Sequence, residues 1–507
     1  MKWIYCICLM GLLGISQAQQ ILIDPSVQYQ EIDGFGASDA WRVQFVGANW
    51  PVEKREQIAD LLFSKELDSK GNPKGIGLSI WRFYIGSGSM ELGDTVQIPN
   101  EWRRAECFLN PDGTYDWNKQ KGQRWFLQAA KKHGVNQFLA FALSAPPSYS
   151  LNGKTWSIKD DERLNIKPGY YDDYARFLVD VTDHFEKEEG IFFNYLSPVN
   201  EPQWDWSKPG QEGSAATNED IYLLTKYLSK ELAKRNSRTK LVIGEAAELN
   251  FLYNPYKASG NQVQTFFDPA SSLFLGNLPN VASKISGHSY FTTWPIDTLN
   301  QVRKRLGDQL RKHPKVDFWQ TEFCVMEQSP EIGGGWKRDL AMPTALYVAR
   351  VIHHDLTVAN ASSWQWWTAL TTYDYKDGLI YLDTGDETDL FNRDRMKQDG
   401  VYRESKLLWA LGNYSRFVQP GMKRIKARIE DVDEKVSISA YYGKDNEVVM
   451  VLTNHQTKDQ MLQLGDDFIP EAAYLTDEQH SLDLIPVNSG RIKLPAKSLL
   501  SIKGKIK

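Results

Sequence analysis

Two short stretches each set a carboxylate at the end of an apolar run, beside amide and aromatic side chains. One reads Tyr195-Leu196-Ser197-Pro198-Val199-Asn200-Glu201-Pro202-Gln203-Trp204-Asp205-Trp206, the other Phe318-Trp319-Gln320-Thr321-Glu322-Phe323. Pro202 has no N–H for a strand ladder, so Asn200 and Glu201 fall at a strand's C-terminal end. Taken singly, each glutamate is equally well read as a solvated strand end; the repetition gives the pair weight. Two carboxyl groups flanking a glycosidic bond, one an acid and the other a nucleophile or base, hydrolyse it without metal or cofactor. Flat rings beside them supply surfaces on which sugar faces stack. Glu201, between Pro202 and Trp204, is the better acid/base, because apolar neighbours raise a carboxyl pKa. Glu322 is then the nucleophile, kept ionised by Arg82 and by hydrogen bonds from Tyr290 or His288.

Such residues must be brought together by the fold. Apolar strand signals cover 34–40, 77–85, 137–143, 192–199, 240–244, 284–290, 317–321 and 362–367. Amphipathic helix patterns alternate with them at 52–63, 119–133, 171–187, 218–235, 296–313 and 343–360. In the third of these Tyr174, Phe177, Leu178, Val181 and Phe185 mark one face of a 3.6-residue period. The segment 262–278 is the weakest helix, interrupted by Pro269, and 401–414 reads as the eighth. Eight strands alternating with eight helices predict an α/β fold, a (β/α)8 barrel. An open doubly wound sheet fits less well, since no Gly-rich phosphate fingerprint follows an early strand. The long polar connections (86–118, 144–169, 202–217, 245–260, 370–400) all follow strands, which loads the barrel's C-terminal face.

On that face the strand ends deliver Arg82, Ser144-Ala145-Pro146-Pro147, Asn200-Glu201, His288 with Tyr290, Glu322, and the tryptophans 364, 366 and 367. Glutamates on the fourth and seventh strands face one another across the barrel. The separation of about 5–5.5 Å expected there corresponds to retention of anomeric configuration. Arg82 reads as a contact to Glu322, with an internal salt bridge as the bland alternative. His288 divides evenly between a substrate contact and a supporting residue. Alternation sends one of Trp366 and Trp367 into the barrel, and Trp366 is read as the one facing sugar. Asp39 and Trp41, past Gly34-Phe35-Gly36, are placed at the pocket's rim, with helix capping the equal alternative for Asp39. Glu245 and Glu248 are rival carboxylates; lacking Asn or aromatic company, they rank well below. The 8 histidines show neither His-x-His nor His-Glu-x-x-His spacing, so no metal is expected, and the His353-His354 pair mid-helix reads as structural.

Composition narrows the class. The 507 residues are 42% hydrophobic and 24% charged, enough for one large domain and a smaller one. A net charge of -5 argues against a nucleic-acid partner. Many of the 17 Trp, 23 Tyr and 22 Phe must fill core, but 17 Trp is more than packing ordinarily needs, and sugar stacking is one use for the surplus. Residues 1–18 read as a signal peptide, with Lys2 in the basic region, an apolar stretch too short to span a bilayer, and Ser16-Gln17-Ala18 at the cleavage site. No later run is long enough to cross a membrane, so a secreted or periplasmic protein is expected. Cys6 and Cys8 leave with the leader and sit in no convincing lipoprotein motif; Cys107 and Cys324 remain, and no spacing rule supports a disulfide between them. Residues 19–33 form one or two strands, 34–414 the barrel, and 415–507 a β-sandwich of short strands that the N-terminal strand joins. A monomer is expected, with an oligo- or polysaccharide substrate as its partner.

With these residues assembled, the chain resembles glycoside hydrolase family 30. The likeness runs through Ile32-Asp33-Gly34-Phe35-Gly36, Arg82-Phe83-Tyr84-Ile85-Gly86-Ser87, Ser144–Pro147, Asn200-Glu201-Pro202, Gly287-His288-Ser289-Tyr290 and Gln320-Thr321-Glu322. The Asn-Glu pair belongs to the wider clan of retaining barrel enzymes, and the opening motif narrows it. The resemblance implies Glu201 as acid/base, Glu322 as nucleophile, Asn200 as partner to the sugar's 2-hydroxyl, and a β-rich side domain built from both chain ends. Thr321 stands where many members carry Ser. The aromatic-rich loops look most similar to endo-β-1,6-galactanases. Related members that cleave β-1,6-glucan, glucuronoxylan or glucosylceramide (a β-glucosidase activity) are the alternatives. A non-catalytic carbohydrate-binding protein on a decayed barrel is the remaining one, and the presence of both glutamates weighs against it.

Overall fold

The computed structural model describes residues 18–487 and 490–507; the leader reading falls almost wholly outside them. Eight parallel strands close into a barrel in sequence order: β2 (Gly34–Ser38), β3 (Ile80–Ile85), β4 (Gln137–Ala142), β5 (Tyr195–Ser197), β6 (Lys240–Ala246), β7 (Val281–His288), β8 (Asp317–Glu322) and β9 (Ala361–Trp366), which pairs back to β2. A longer strand, β1 (Gln19–Glu31), precedes them outside the barrel. β2, β3 and β9 are buried along their whole length. Parallel strands covered on both faces read as continuous rather than alternating apolar runs for this reason.

β5 is shorter than its apolar run suggests. The Asn194 side chain accepts the Phe138 N–H at 2.9 Å in place of a strand carbonyl, and Pro198 ends the ladder on the other side. The outer layer contains Val52–Phe63, Lys121–Lys132, Tyr171–Glu188, Asn218–Lys234, Ile296–Leu310 and Met342–Thr357. The Asn218–Lys234 helix starts at a capping box, with Thr217 accepting from Asp220 N and Asp220 bonding back to Thr217 N.

Two helices differ from the sequence pattern. The segment 262–278 keeps only Gln262–Phe267 as helix, ending before Pro269. Residues 401–414 divide: Val401–Glu404 is a strand pairing with Ile380–Asp383, and the helix Lys406–Ser415 begins only after Ser405 caps Leu408 N. With Leu370–Thr371 these strands form a small three-stranded sheet.

The tail builds a nine-stranded sheet in the order Ser481–Ile485, Phe468–Thr476, Ser498–Ile506, Glu447–Asn454, Val436–Tyr442, Lys423–Ile429, β1, Gln460–Gln463, Arg491–Leu494. β1 runs antiparallel to Lys423–Ile429 from Ile21↔Ile429 to Glu31↔Lys423, and so ties the chain's two ends together. The far edge folds over: Leu462, Ile492 and Leu494 share one apolar core with Val448, Met450, Leu452 and Ile502. The opposite face, through Tyr441, Val449, Val451 and Leu499, joins the barrel's core cluster. There Asn413 and Ser501 exchange hydrogen bonds at 2.9 and 2.7 Å. Cys107 and Cys324 are both buried, and among the described residues neither forms a disulfide. Among the described residues no helix is long and apolar enough to cross a membrane.

Candidate active site

Arg82 on β3 is the hub of the barrel's C-terminal mouth. Wholly buried, it donates from Nη1 to Glu322 Oε2 at 2.5 Å, and from Nη2 to Asn200 Oδ1 at 3.1 Å and Glu245 Oε2 at 3.0 Å. Its guanidinium lies 3.8 Å over the centre of the Phe141 ring, so one face is packed and the edge is left for acceptors. Glu322, at the end of β8, takes a second hydrogen bond on Oε1 from the Tyr290 hydroxyl at 3.0 Å. Both of its oxygens are thereby oriented.

Glu201 follows Pro198-Val199-Asn200 beyond β5 with a left-handed backbone, φ 46°. For a non-glycine residue this costs on the order of 1 kcal/mol. Several hydrogen bonds hold it there: its amide donates to Glu245 O at 2.9 Å, and its carbonyl accepts from Trp204 N at 3.0 Å and Trp206 Nε1 at 3.1 Å. Burial raises the Glu201 carboxyl pKa, against the pull of its bond to His288. His288 sits between two acids, with Nδ1 2.9 Å from Glu201 Oε1 and Nε2 2.9 Å from Glu245 Oε2. Burial alone would lower its pKa, but the surrounding carboxylates lift it to about 10. For Glu245, burial raises the pKa, yet Arg82 and His288 hold it at about 2. Oxygens of Glu201 and Glu322 and a ring nitrogen of His288 all lie within 4.8 Å of one another.

These groups open into a cleft of about 560 Å³. Asn200, Glu201, Tyr290, Glu322 and Trp204 line it as the sequence suggests, whereas Arg82 and His288 lie beneath its floor. Trp204 is half exposed and stacks on Phe291, ring centres 6.0 Å apart and planes 1° from parallel.

Three of the expected positions are corrected. Trp366 does not line the cleft: it is fully buried beside Trp364, its Nε1 donating to Asp377 O at 2.9 Å. Trp367 lines the cleft instead. β9 ends at Trp366, so face alternation no longer governs the next residue. Trp41 is buried behind Trp367, edge-on at 5.3 Å. Asp39 is likewise buried, accepting from Tyr84 N at 2.9 Å and Gln123 Nε2 at 3.2 Å, and burial raises its carboxyl to about 7. Its backbone carbonyl, rather than its carboxylate, receives Val43 N. Neither residue reaches the rim.

The cleft also gains residues that sequence reading passed over. Tyr373, Tyr375 and Arg393 come from the 370–400 connection, Trp336 from the loop after β8 and Arg103 from that after β3. The length of the 370–400 connection signalled function; its individual tyrosines did not. Arg103 and Arg393 both pack on the Tyr373 ring, 5.3 and 5.1 Å from its centre, and among the described residues neither is in an ion pair. A larger hollow of about 870 Å³ between Met342–Thr357 and the side domain shares no residue with this cleft.

Residues 18–381 match a family model described as O-Glycosyl hydrolase family 30. The chain is 22% identical over 457 residues to an endo-beta-1,6-galactanase of Hypocrea rufa, spanning 86% of this chain and 81% of that protein. It superposes on a conserved exported protein from Bacteroides fragilis with a TM-score of 0.90 and 37% identity, over 96% of this chain and all (100%) of the other. The catalytic domain of a GH30 xylanase C from Talaromyces cellulolyticus shares the fold at a TM-score of 0.69 and 20% identity, with 96% and 100% of the two chains covered.

Proposed function

The chain belongs to glycoside hydrolase family 30, and on that premise we propose that it is a secreted, retaining endo-β-1,6-galactanase acting on galactan or arabinogalactan side chains. Hydrolysis of O-glycosyl bonds comes with the family. The retaining mechanism is supported by one observation above the others: carboxyl oxygens of Glu201 and Glu322 lie within 4.8 Å of each other. That spacing suits direct attack by one carboxylate; an inverting pair stands about 6.5–9.5 Å apart to leave room for water.

In this reading Glu201 gives its proton to the departing glycosidic oxygen while Glu322 attacks the anomeric carbon from the opposite face. A covalent glycosyl-enzyme forms and the leaving sugar departs with the proton. Glu201, now a carboxylate, takes a proton from water, which displaces Glu322 and restores the original configuration. Asn200 spends its Oδ1 on Arg82, so its amide N–H groups remain to donate to the sugar's 2-hydroxyl.

Similarity to the Hypocrea rufa galactanase supports the substrate, and export is supported by the leader pattern and the Bacteroides fragilis relative. A second reading, glucuronoxylan, draws on Arg103 and Arg393: two cleft arginines that pair with no acid among the described residues suit a substrate carrying a carboxylate.

Incubation with β-1,6-galactan, β-1,6-glucan, glucuronoxylan and aryl β-glycosides, with products followed by NMR from the first minutes, tests all of this. Short galacto-oligosaccharides released first as the β-anomer are expected. Initial α-anomer would overturn retention, and turnover of another polymer with none on galactan would overturn the substrate.

A further inference from the structure

We propose that Glu245 is a positioning residue of this site: its carboxylate is the counter-ion that keeps His288 an imidazolium, and His288 in turn holds Glu201 with its acid proton directed at the substrate. The inference rests on the reading of Glu201 as the acid/base.

The geometry begins with Glu245 Oε2, which accepts from three donors on three other strands: Arg82 Nη2 at 3.0 Å, Thr321 Oγ1 at 3.0 Å and His288 Nε2 at 2.9 Å. An oxygen with that company is an acceptor only, so His288 Nε2 carries a hydrogen. The other ring nitrogen, Nδ1, is 2.9 Å from Glu201 Oε1. A hydrogen on Nδ1 makes Glu201 Oε1 the acceptor, which leaves Oε2 as the only oxygen of Glu201 to bear the acid proton. A bare Nδ1 would instead draw that proton inward onto Oε1, away from the cleft.

Charge balance selects between the two arrangements. The buried cluster holds two potential cations, Arg82 and His288, and three carboxyls, Glu201, Glu245 and Glu322. With both cations charged and Glu245 and Glu322 ionised, neutrality requires Glu201 to be the protonated acid, which is the state glycoside cleavage needs. Without the Glu245 charge the cluster carries one positive charge too many. Arg82 does not give up a proton and burial holds the proton on Glu201, so His288 is the group that neutralises. The raised pKa of His288 agrees with this assignment, and its cause is the same set of carboxylates. The backbone adds to the coupling, since Glu201 N donates to Glu245 O and both residues adopt left-handed φ, 46° and 47°.

The test compares the wild-type protein with Glu245→Gln, which keeps shape and removes charge, and with Thr321→Val, which removes one hydrogen bond and keeps the charge. In ¹⁵N NMR at pH 7, His288 of the wild type and of Thr321→Val is expected to show two protonated ring nitrogens, and Glu245→Gln one. On β-linked oligosaccharides, whose leaving group needs the acid, Glu245→Gln is expected to lose about 100-fold in kcat/KM. On a dinitrophenyl β-glycoside, whose leaving group does not, it should stay within a few fold. A neutral His288 in the wild type overturns the proposal even if Glu245→Gln fails to fold. So does an imidazolium that persists in Glu245→Gln, or an equal loss on both substrates. Should the wild type cleave neither substrate, the glycosidase reading fails, while the NMR still decides the protonation of His288.

Discussion

Arg82 and Glu322 meet at 2.5 Å with neither side chain more than 6% exposed, and the same guanidinium also binds Glu245. One guanidinium thus bridges two buried carboxylates, and His288 supplies the second positive charge beside Glu245. Replacing Arg82 with Met keeps the volume, strips Glu322 of its cation and leaves Glu245 with His288 alone. Breaking a buried pair from one side costs about 3–5 kcal/mol, because an uncompensated charge stays inside. Arg82→Met is therefore expected to lose that much unfolding free energy in a denaturant titration at pH 7. A loss below about 1 kcal/mol would show that water reaches the cluster, contrary to its burial.

Glu201→Gln and Glu322→Gln should separate the two roles. Without its acid, Glu201→Gln is expected to lose about 10²–10⁴-fold on natural-type linkages and much less on a dinitrophenyl glycoside. Glu322→Gln is expected to fall to background on both, since no bond to the anomeric carbon can form. Added azide, a small nucleophile, then tells them apart: it should yield a β-glycosyl azide with Glu201→Gln and an α-glycosyl azide with a Glu322→Gly variant. Full activity in either glutamine variant would remove that residue from the mechanism.

How much of this was legible in the chain depends on where the signal resides. Glu201 and Glu322 carry theirs locally: Pro202 and Trp204 travel with the first, Trp319 and Phe323 with the second. Barrel strands were legible for a similar reason, since burial on both faces leaves unbroken apolar runs such as Ile80–Ile85. Glu245 has no such company along the chain. Its partners, Arg82, His288 and Thr321, arrive from three other strands, so its place in the cluster is not written in its own stretch of sequence. Trp41 and Asp39 were placed at the rim because nothing local shows what covers them. Trp41 is covered by Trp367, after β9, and Asp39 by Tyr84 and Gln123. Trp366 and Trp367 exchange roles because a strand's last residue is decided by ladder geometry, which the composition of Ser-Trp-Gln-Trp-Trp does not encode.

Asp39 gives a pH dependence of stability. Burial raises its carboxyl from an ordinary 3.8 to about 7. The unfolded chain ionises near 4 while the folded one stays protonated, so the contribution is fully present below about 4 and is lost as pH rises through 7. The shift corresponds to a loss on the order of 4 kcal/mol across that window. Asp39→Asn removes the titrating group and should flatten the curve between about pH 4 and pH 7. Unfolding free energies at four pH values for both proteins decide it; parallel curves would mean that Asp39 is ionised in the folded state.

Trp336 is 77% exposed at the mouth of the cleft, yet the backbone carrying it is fixed. Lys376 Nζ donates to Gly334 O at 2.9 Å and Trp336 O at 3.0 Å, and Lys376 N donates to Gly335 O at 2.7 Å. Gly335 is required for this approach, since a Cβ there would lie 2.2 Å from the Tyr375 hydroxyl. The indole stands edge-on to Tyr375 at 5.4 Å, so one ring is anchored and the other faces solvent. An apolar ring held out rigidly loses little conformational entropy when a sugar stacks on it. A sugar there lies beyond the one being cleaved, so the effect belongs to polymers. Trp336→Ala is expected to reduce kcat/KM on long galactan about tenfold, equivalent to about 1.4 kcal/mol of stacking. It should leave a monosaccharide aryl glycoside and the melting temperature unchanged. An equal loss on both substrates would place Trp336 at the scissile bond, and no loss on galactan would show that the chain leaves the cleft by another route.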